Sequence, residues 1–393
     1  MRKNKNKGDN RIFVSHFVGL SGIGGVQRNF AEYFNNQIKL ESRLLHKVYT
    51  LGSVDAQYKI PVKIYDIRKL KNLLSLVLDI ISRNRVVHFY NNLTSLKVVV
   101  LLFLLPVHKL IIHERGTIWN FPSSRRVLLR FVVWKTKIVL VNSNATKVML
   151  EKKFHISSEK IRVLHNGIDT KIKCVEKKEI YNKSALFRIG FIGRLDTPKG
   201  VHVLIDAMHN LVENSNIKLY IAGDGPLEDA LKTRASNLKN VFFIGRIEGP
   251  YNFLRDLDLL VVPSIREPLG NVCLEAGLCK VPVLAASVDG IPEIIENKAS
   301  GELIIPTQTI TFVPQKNAID FPEYIINPLT KEISRPKQIN PQILAKKIIT
   351  LSNSPGLLKK YGEQLYIKVV TYFNMDRYTK ELNEIYFDIS NDN

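Results

Sequence analysis

The chain has 393 residues, enough for two or three domains at roughly 150 residues each, and its 45% hydrophobic and 24% charged content excludes disorder as the main state. Its 57 Lys+Arg against 36 Asp+Glu give a formal charge of +21, all of it on one side: residues 1–180 hold 33 Lys+Arg against 12 Asp+Glu, and residues 181–393 hold 24 against 24. A uniformly basic protein is thereby excluded, and a basic surface on the first half is expected.

The elements alternate between strand and helix. Residues 1–8 are basic (Arg2, Lys3, Lys5, Lys7) and no apolar signal-peptide core follows them. Ile12-Phe13-Val14 is a first short strand, with His16 just after it and a glycine-rich turn, Ser21-Gly22-Ile23-Gly24-Gly25-Val26, before a helix. Val86-Val87-His88-Phe89, Lys109-Leu110-Ile111-Ile112 and Ile138-Val139-Leu140-Val141 continue the series. The apolar run 98–107 closes at Pro106, far short of the roughly 18–20 residues that span a bilayer. A polar linker at 171–184 precedes a second series: Arg188-Ile189-Gly190-Phe191-Ile192-Gly193, Lys218-Leu219-Tyr220-Ile221, Val241-Phe242-Phe243-Ile244, Leu259-Leu260-Val261-Val262 and Val281-Pro282-Val283-Leu284. Apolar runs of this kind read as strands buried on both faces, so two series predict two doubly wound parallel sheets. Residues 306–341 hold prolines and little periodicity, an irregular insertion. Tyr378, Leu382, Ile385 and Ile389 mark a last amphipathic helix. Cys174, Cys273 and Cys279 are too few and too scattered for a disulfide framework or zinc site, and a reducing compartment is expected.

Three segments carry chemistry. Gly24-Gly25 would let a backbone approach an anion at a helix N-terminus. Arg194 and Lys199 follow a buried strand at its carboxyl edge, where open α/β sheets bind ligands, and two cations there suit a diphosphate. Glu267 and Glu275 lie eight positions apart around Leu269-Gly270-Asn271, which would open a helix and offer free N–H donors. Asp256-Leu257-Asp258 precedes a strand rather than following one and reads as a helix end, not a metal site.

Together these segments resemble the family 4 retaining glycosyltransferases of the GT-B fold. The resemblance runs through most of residues 10–305. It rests on Gly24-Gly25, Val163-Leu164-His165-Asn166-Gly167-Ile168-Asp169, Gly193-Arg194-Leu195 with Lys199-Gly200, Ala222-Gly223-Asp224-Gly225-Pro226, Phe243-Ile244-Gly245, the Glu267/Glu275 pair, and Gly290-Ile291-Pro292-Glu293. It implies two Rossmann-like domains facing across a cleft: an acceptor-side domain at 1–180, a nucleotide-sugar domain at 181–372, and a helix at 373–393 returning to the first domain. It further implies that Arg194 and Lys199 neutralise the departing diphosphate, that Glu267 contacts the donor sugar and that Glu275 holds the ribose. Leu269, Gly270, Asn271, Gly24, Gly25 and Asn166 would complete the donor site. A UDP-sugar is the expected donor, as substrate rather than cofactor. Transfer would retain configuration by front-face attack, and no metal is expected. Pro268-Leu269-Gly270 and Lys280-Val281-Pro282 depart from the common pattern and blur the choice of sugar.

On the acceptor side His113 and Arg115 compete for one role, with His16 a weaker candidate. The segment 123–137 places Arg126, Arg130 and Lys137 on one helical arc flanked by Trp134, an element suited to an anionic membrane surface. The expected acceptor is therefore a lipid-linked or envelope glycan, met by a cytoplasmic protein resting on the inner face of the membrane. A nucleic-acid-binding protein is disfavoured because no zinc spacing, aromatic RNA-binding segment or helix-turn-helix accompanies the charge. An inactive scaffold is disfavoured by the joint presence of Arg194, Lys199, Glu267 and Glu275.

Overall fold

The computed structural model describes residues 11–22, 24–37, 41, 43–91, 93–172, 174, 186–214 and 216–392. The basic arm at Arg2, Lys3, Lys5 and Lys7 and most of the linker at 171–184 lie outside the described residues.

The first series comprises β1 (Ile12–Phe17), α1 (Gly25–Gln37), β2 (Leu44–Thr50), β3 (Ile64–Asp66), α2 (Leu70–Ile81), β4 (Arg85–Tyr90), α3 (Leu96–Leu104), β5 (Leu110–Glu114), α4 (Arg126–Lys135), β6 (Ile138–Val141), α5 (Asn144–Phe154) and β7 (Ile161–Val163). Its seven strands form one parallel sheet in the order β3-β2-β1-β4-β5-β6-β7. The second comprises β8 (Phe187–Ile192), α6 (Val201–His209), β9 (Ile217–Ala222), α7 (Glu228–Arg234), β10 (Val241–Gly245), α8 (Tyr251–Arg255), β11 (Leu259–Val262), α9 (Asn271–Leu278), β12 (Val283–Ala286), α10 (Ile291–Ile294) and β13 (Glu302–Ile304). Its parallel sheet runs β10-β9-β8-β11-β12-β13. A short antiparallel hairpin, β14 (Ile325–Asn327) and β15 (Glu332–Ser334), and three helices, α11 (Pro341–Ser352), α12 (Pro355–Tyr372) and α13 (Met375–Asn391), complete the chain. Both sheets are doubly wound, with the strand order reversing beside β1 and beside β8.

The central strands follow from composition. β5, β11 and β12 are buried along their whole length, as helices on both faces require. β10 corrects the expectation of burial on both faces: it is an edge strand, and Phe242 and Ile244 are exposed.

The chain forms two compact units. One takes residues up to Asn142, Phe154–Gly167 and Met375 onward, and the other takes Ser143–Lys153 and Ile168–Asn374. This differs from a single break at 180. In the first unit α13 buries Met375, Tyr378, Leu382, Ile385, Tyr386 and Ile389 in the same core as Val14, Phe30, Phe34 and Ile111. α5 belongs to the second unit because the Glu293 carboxylate accepts the backbone N–H groups of Asn144 (2.9 Å) and Ala145 (3.0 Å). These are donors that a helix start leaves without intrahelical partners.

Cys174 and Cys279 are joined in a single disulfide with Cα atoms 5.2 Å apart, a bridge that the expectation of no disulfide framework and a reducing compartment did not include. Their separation of 105 residues carries no spacing signal. Cys273 is free and buried, and burial pushes its thiol pKa up. Among the described residues no helix is long and apolar enough to cross a membrane.

Candidate active site

In the second unit the strand order turns between β8 and β11, so the loops leaving these two strands are neighbours at the carboxyl edge of the sheet. The loop after β8 carries Arg194, then a single 3-10 turn, Thr197–Lys199, then α6. The loop after β11 carries Ser264 and Glu267 and leads into α9. The two loops meet directly: Lys199 Nζ donates to Glu267 Oε2 at 2.6 Å, and Ser264 Oγ lies 3.4 Å from the same oxygen. Glu267 is nearly buried and Lys199 partly so. Arg194 points outward, its side chain 61% exposed, with Nε 3.1 Å from Asp196 Oδ2. The site therefore presents two cations at one sheet edge, Arg194 against Asp196 and Lys199 against Glu267.

Leu269 is buried beneath this surface, Gly270 precedes the first turn of α9, and Asn271 and Glu275 are half-buried on that helix. The contact between Lys199 and Glu267 is not part of the sequence expectation, which gave them separate ligands. Asp256 ends α8 and Asp258 accepts the Arg188 N–H at 2.8 Å, as expected of a helix end. Among the described residues no group of three or more His, Cys, Asp or Glu is placed to hold a metal ion.

The two loops approach so closely that position 200 admits only glycine. Gly200 has φ +65°, and a Cβ there would stand 2.1 Å from the Pro263 carbonyl oxygen. Gly200→Ala is expected to cost at least about 2–4 kcal/mol and to displace Lys199. Urea unfolding checks the first effect, and an unchanged midpoint would count against the close approach.

In the first unit the glycine turn starts α1 at Gly25, and the Gly24 N–H donates to the Tyr58 hydroxyl at 3.3 Å. One of the two amides expected to face a phosphate thus has an internal partner. Asn166 is buried and its Oδ1 accepts from Arg115 Nη2 at 2.5 Å, while Arg377 Nη2 donates to the carbonyls of His165 (2.7 Å) and Asn166 (3.1 Å). The His165-Asn166-Gly167 segment is thereby clamped between β5 and α13. Arg115 is buried, and burial lowers its pKa.

His16 and His113 lie inside β1 and β5, not after them, and both are fully buried. They belong to a row that crosses four central strands on one sheet face. His16 is in register with His88, His46 pairs with Val14 two residues before His16, and Tyr90 is in register with His113. His16 Nε2 and His46 Nδ1 are 2.9 Å apart, His88 Nδ1 is 2.6 Å from the Tyr386 hydroxyl, and the rings of His88 and His113 stack at 5.5 Å. Burial holds His16, His88 and His113 well below the usual imidazole pKa and His46 at about 4. Neither ring offers a nitrogen at the surface: both acceptor-side candidates are interior groups of the first unit in this structure.

Sequence reasoning also missed Glu114. Its buried carboxylate accepts the N–H groups of Gly116 (2.8 Å), Thr117 (2.5 Å) and Ile118 (3.1 Å), and burial raises its pKa. A carboxylate next to His113-Arg115 at a strand end was the available signal.

Comparison with known families is decisive. The model described as "Glycosyl transferases group 1" matches residues 175–319, and that described as "Glycosyltransferase Family 4" matches residues 48–172. The chain belongs to the family 4, group 1 glycosyltransferases. An uncharacterized glycosyltransferase of Methanocaldococcus jannaschii, MJ1607, is 32% identical over 50% of this chain and 55% of its own length. The Staphylococcus aureus capsular polysaccharide biosynthesis glycosyltransferase CapM is 30% identical over 30% of this chain and 32% of its own. The chain thus spans about half, or less, of these curated relatives. Anabaena HepE, solved with UDP and glucose, has 19% identity and a TM-score of 0.71 over 94% of this chain and 98% of its own. That likeness establishes the fold, two Rossmann-like domains of the GT-B kind.

The basic face of this family member is built on α3 and α4. Arg126, Arg130 and Trp134 are exposed on α4, while Leu129, Val132 and Val133 turn inward. Lys137 is a correction: α4 ends at Lys135, and Lys137 pairs with Asp392 at 3.2 Å. α3 packs beside α4 through Phe103 and Phe131 (ring centroids 6.0 Å apart), yet Leu96, Val100, Phe103 and Leu104 remain exposed. Residues 80–150 hold eleven Lys and Arg and one carboxylate, Glu114, which is buried.

Proposed function

We propose that this protein transfers a hexose from a UDP-sugar to a lipid-linked or envelope glycan at a membrane surface, with retention of configuration. The observation that carries the reading is the Lys199–Glu267 pair with Arg194 at the carboxyl edge of the second sheet. Breaking a glycosidic bond to a nucleoside diphosphate builds negative charge on the leaving phosphate. Two cations already held at that edge stabilise this charge as it develops, with little reorganisation. The amides that open α9 add donors of the same polarity. Glu267 keeps one oxygen on Lys199 and offers the other to the sugar, and Glu275 supplies a two-oxygen acceptor for vicinal ribose hydroxyls. UDP as the nucleotude part is supported by the ligands of the HepE structure, and a glycan acceptor by the polysaccharide role named for CapM.

The membrane part rests on α3 and α4. Exposed Phe103, Leu104 and Trp134 beside Arg126 and Arg130 combine apolar and interfacial side chains with cations and no exposed carboxylate between residues 80 and 150. Such a face suits the headgroup layer of anionic lipid, at about 1 kcal/mol for each Lys or Arg near the surface. Two measurements test the reading. A panel of nucleotide sugars should yield turnover with a UDP-hexose, and turnover with none of them would end the assignment. The protein should sediment with phosphatidylglycerol vesicles and not with phosphatidylcholine, and Arg126→Glu with Arg130→Glu should abolish this. Binding indifferent to lipid charge would remove the membrane surface.

A further inference from the structure

The insertion at 306–341 is closed at its base by paired backbone bonds between Gln308 and Gln338 (3.0 and 2.8 Å). From there it crosses α6, where Phe312 stacks on His202 with centroids 4.4 Å apart. It then touches both donor-site loops through backbone groups. Asp196 Oδ1 accepts the N–H groups of Thr197 (2.9 Å) and Ile319 (2.8 Å), and Thr197 Oγ1 donates to the Ile319 carbonyl. Seven residues on, Asp289 accepts the Ile326 N–H on Oδ1 (2.7 Å) and the Glu267 N–H on Oδ2 (2.9 Å), while its own N–H donates to Ile326 O at 3.1 Å.

Each anchor thus sits between the insertion and a residue next to the chemistry. Asp196 fixes the turn that carries Lys199. Asp289 fixes the backbone of Glu267, whose carbonyl is also held by the Gly290 N–H at 3.1 Å. The approach of this turn is close: a Cβ on Gly290 would stand 2.1 Å from Pro268 O. Asp196 and Asp289 are both buried. A carboxylate bridging two amides is a stiffer link than a side-chain contact, because both amides belong to the backbone and neither can rotate away.

We infer that the 306–341 insertion is a strap that sets the spacing of Lys199 and Glu267, with Asp196 and Asp289 as its positioning residues. The inference rests on the donor-site reading of Lys199 and Glu267. It assigns the insertion a part in donor use, with no contact to the donor required of it. An interaction made through a rigid neighbour matters to catalysis because misplacement of a charged group by about 1 Å costs on the order of 100-fold.

The test compares the full-length protein with Asp289→Asn and, independently, Asp196→Ala. At position 289 each oxygen holds one amide, so an asparagine keeps the shape but presents an NH2 group to one of them. At position 196 one oxygen holds both amides, so an alanine is needed to remove them. Hydrogen exchange read on peptides covering Glu267 and Ile326 should quicken at least tenfold in Asp289→Asn, and at Thr197 and Ile319 in Asp196→Ala. With UDP-glucose as probe, kcat/KM for the donor should fall about tenfold while the KM for a fixed acceptor stays unchanged. In a Lys199→Met background Asp196→Ala should add less than twofold, since the group it positions is gone. Unchanged exchange overturns the strap whether or not the enzyme turns over. Equal losses with and without Lys199, or a donor KM and kcat that do not move, also overturn it. Should either variant not fold, the other decides by the same exchange readings. Absence of UDP-glucose turnover in the unsubstituted protein would count against the donor reading, and the exchange data would still judge the strap.

Discussion

Lys199→Ala is expected to lower UDP-hexose turnover by about 100- to 1,000-fold, the usual loss when one preorganised charge is removed from a developing anion. It also leaves the Glu267 carboxylate, now nearly buried, without its cation. That carboxylate is held by Ser264 Oγ at 3.4 Å, too long to replace a 2.6 Å bond. A stability loss of about 1–3 kcal/mol should therefore accompany the kinetic loss. Glu267→Gln separates the two effects. The amide oxygen still accepts from Lys199, so the fold should keep its unfolding midpoint, while turnover falls because the charge facing the sugar is gone. The pair is coupled, so the double substitution Lys199→Ala with Glu267→Gln should cost less than the sum of the singles. Steady-state release of UDP checks all three proteins. Turnover within twofold of the parent in either single variant would dismiss the pair as the centre of the site.

The second large effect is acid sensitivity. Folded-state pKa values of His16, His88 and His113 lie well below 6.5 and that of His46 lies at about 4, burial being the largest cause in each. The unfolded chain binds protons between those values and 6.5 that the folded chain does not. The contribution of these rings is therefore complete above about pH 6.5 and is lost as pH falls through the folded values, by up to about 1.4 kcal/mol per pH unit for each ring. The groups facing the row are Tyr33, Tyr90, Tyr378 and Tyr386, all with pKa raised by burial, and the Arg115 guanidinium, which opposes further positive charge. Unfolding by urea at pH 7.5 and pH 5 should show a steep loss. His113→Phe should flatten it, since neither nitrogen of His113 has a hydrogen-bond partner and nothing is broken by its removal. An unfolding midpoint that does not move between the two pH values would contradict the buried row. Loss of turnover in a more acid-stable His113→Phe would return His113 to the catalytic candidates.

The sequence was most legible where burial left few choices. β5, β11 and β12 stand between helices, so their apolar runs could only be interior strands. β2 was invisible because His46 and Lys47 interrupt it, and β3 and β7 have three residues each, too few for any periodicity. In the site, Arg194, Lys199, Glu267 and Glu275 were legible as spaced motifs. The contact between Lys199 and Glu267 was not, because 68 positions separate them and only the neighbouring of β8 and β11 brings them together. Asp196 and Asp289 carry no sequence signal, since an aspartate that accepts backbone amides looks like any polar loop residue. His16 and His113 read singly as acceptor-side candidates. Their membership of a row emerges only from strand register, which places residues from four separate segments on one face.

The interleaving of the chain between its two units limits how the molecule can be divided. The path passes from one unit to the other at 142/143, 153/154, 167/168 and 374/375. A cut near residue 180 would strip α13 from the first unit, uncovering Phe30, Phe34 and the histidine row, and would leave α5 apart from the Glu293 carboxylate that caps it. Neither fragment would be a self-sufficient folding module. Exchange of the first unit with that of a relative therefore requires transplanting residues up to Asn142, Phe154–Gly167 and the final helix together, a graft of three pieces rather than a swap of halves.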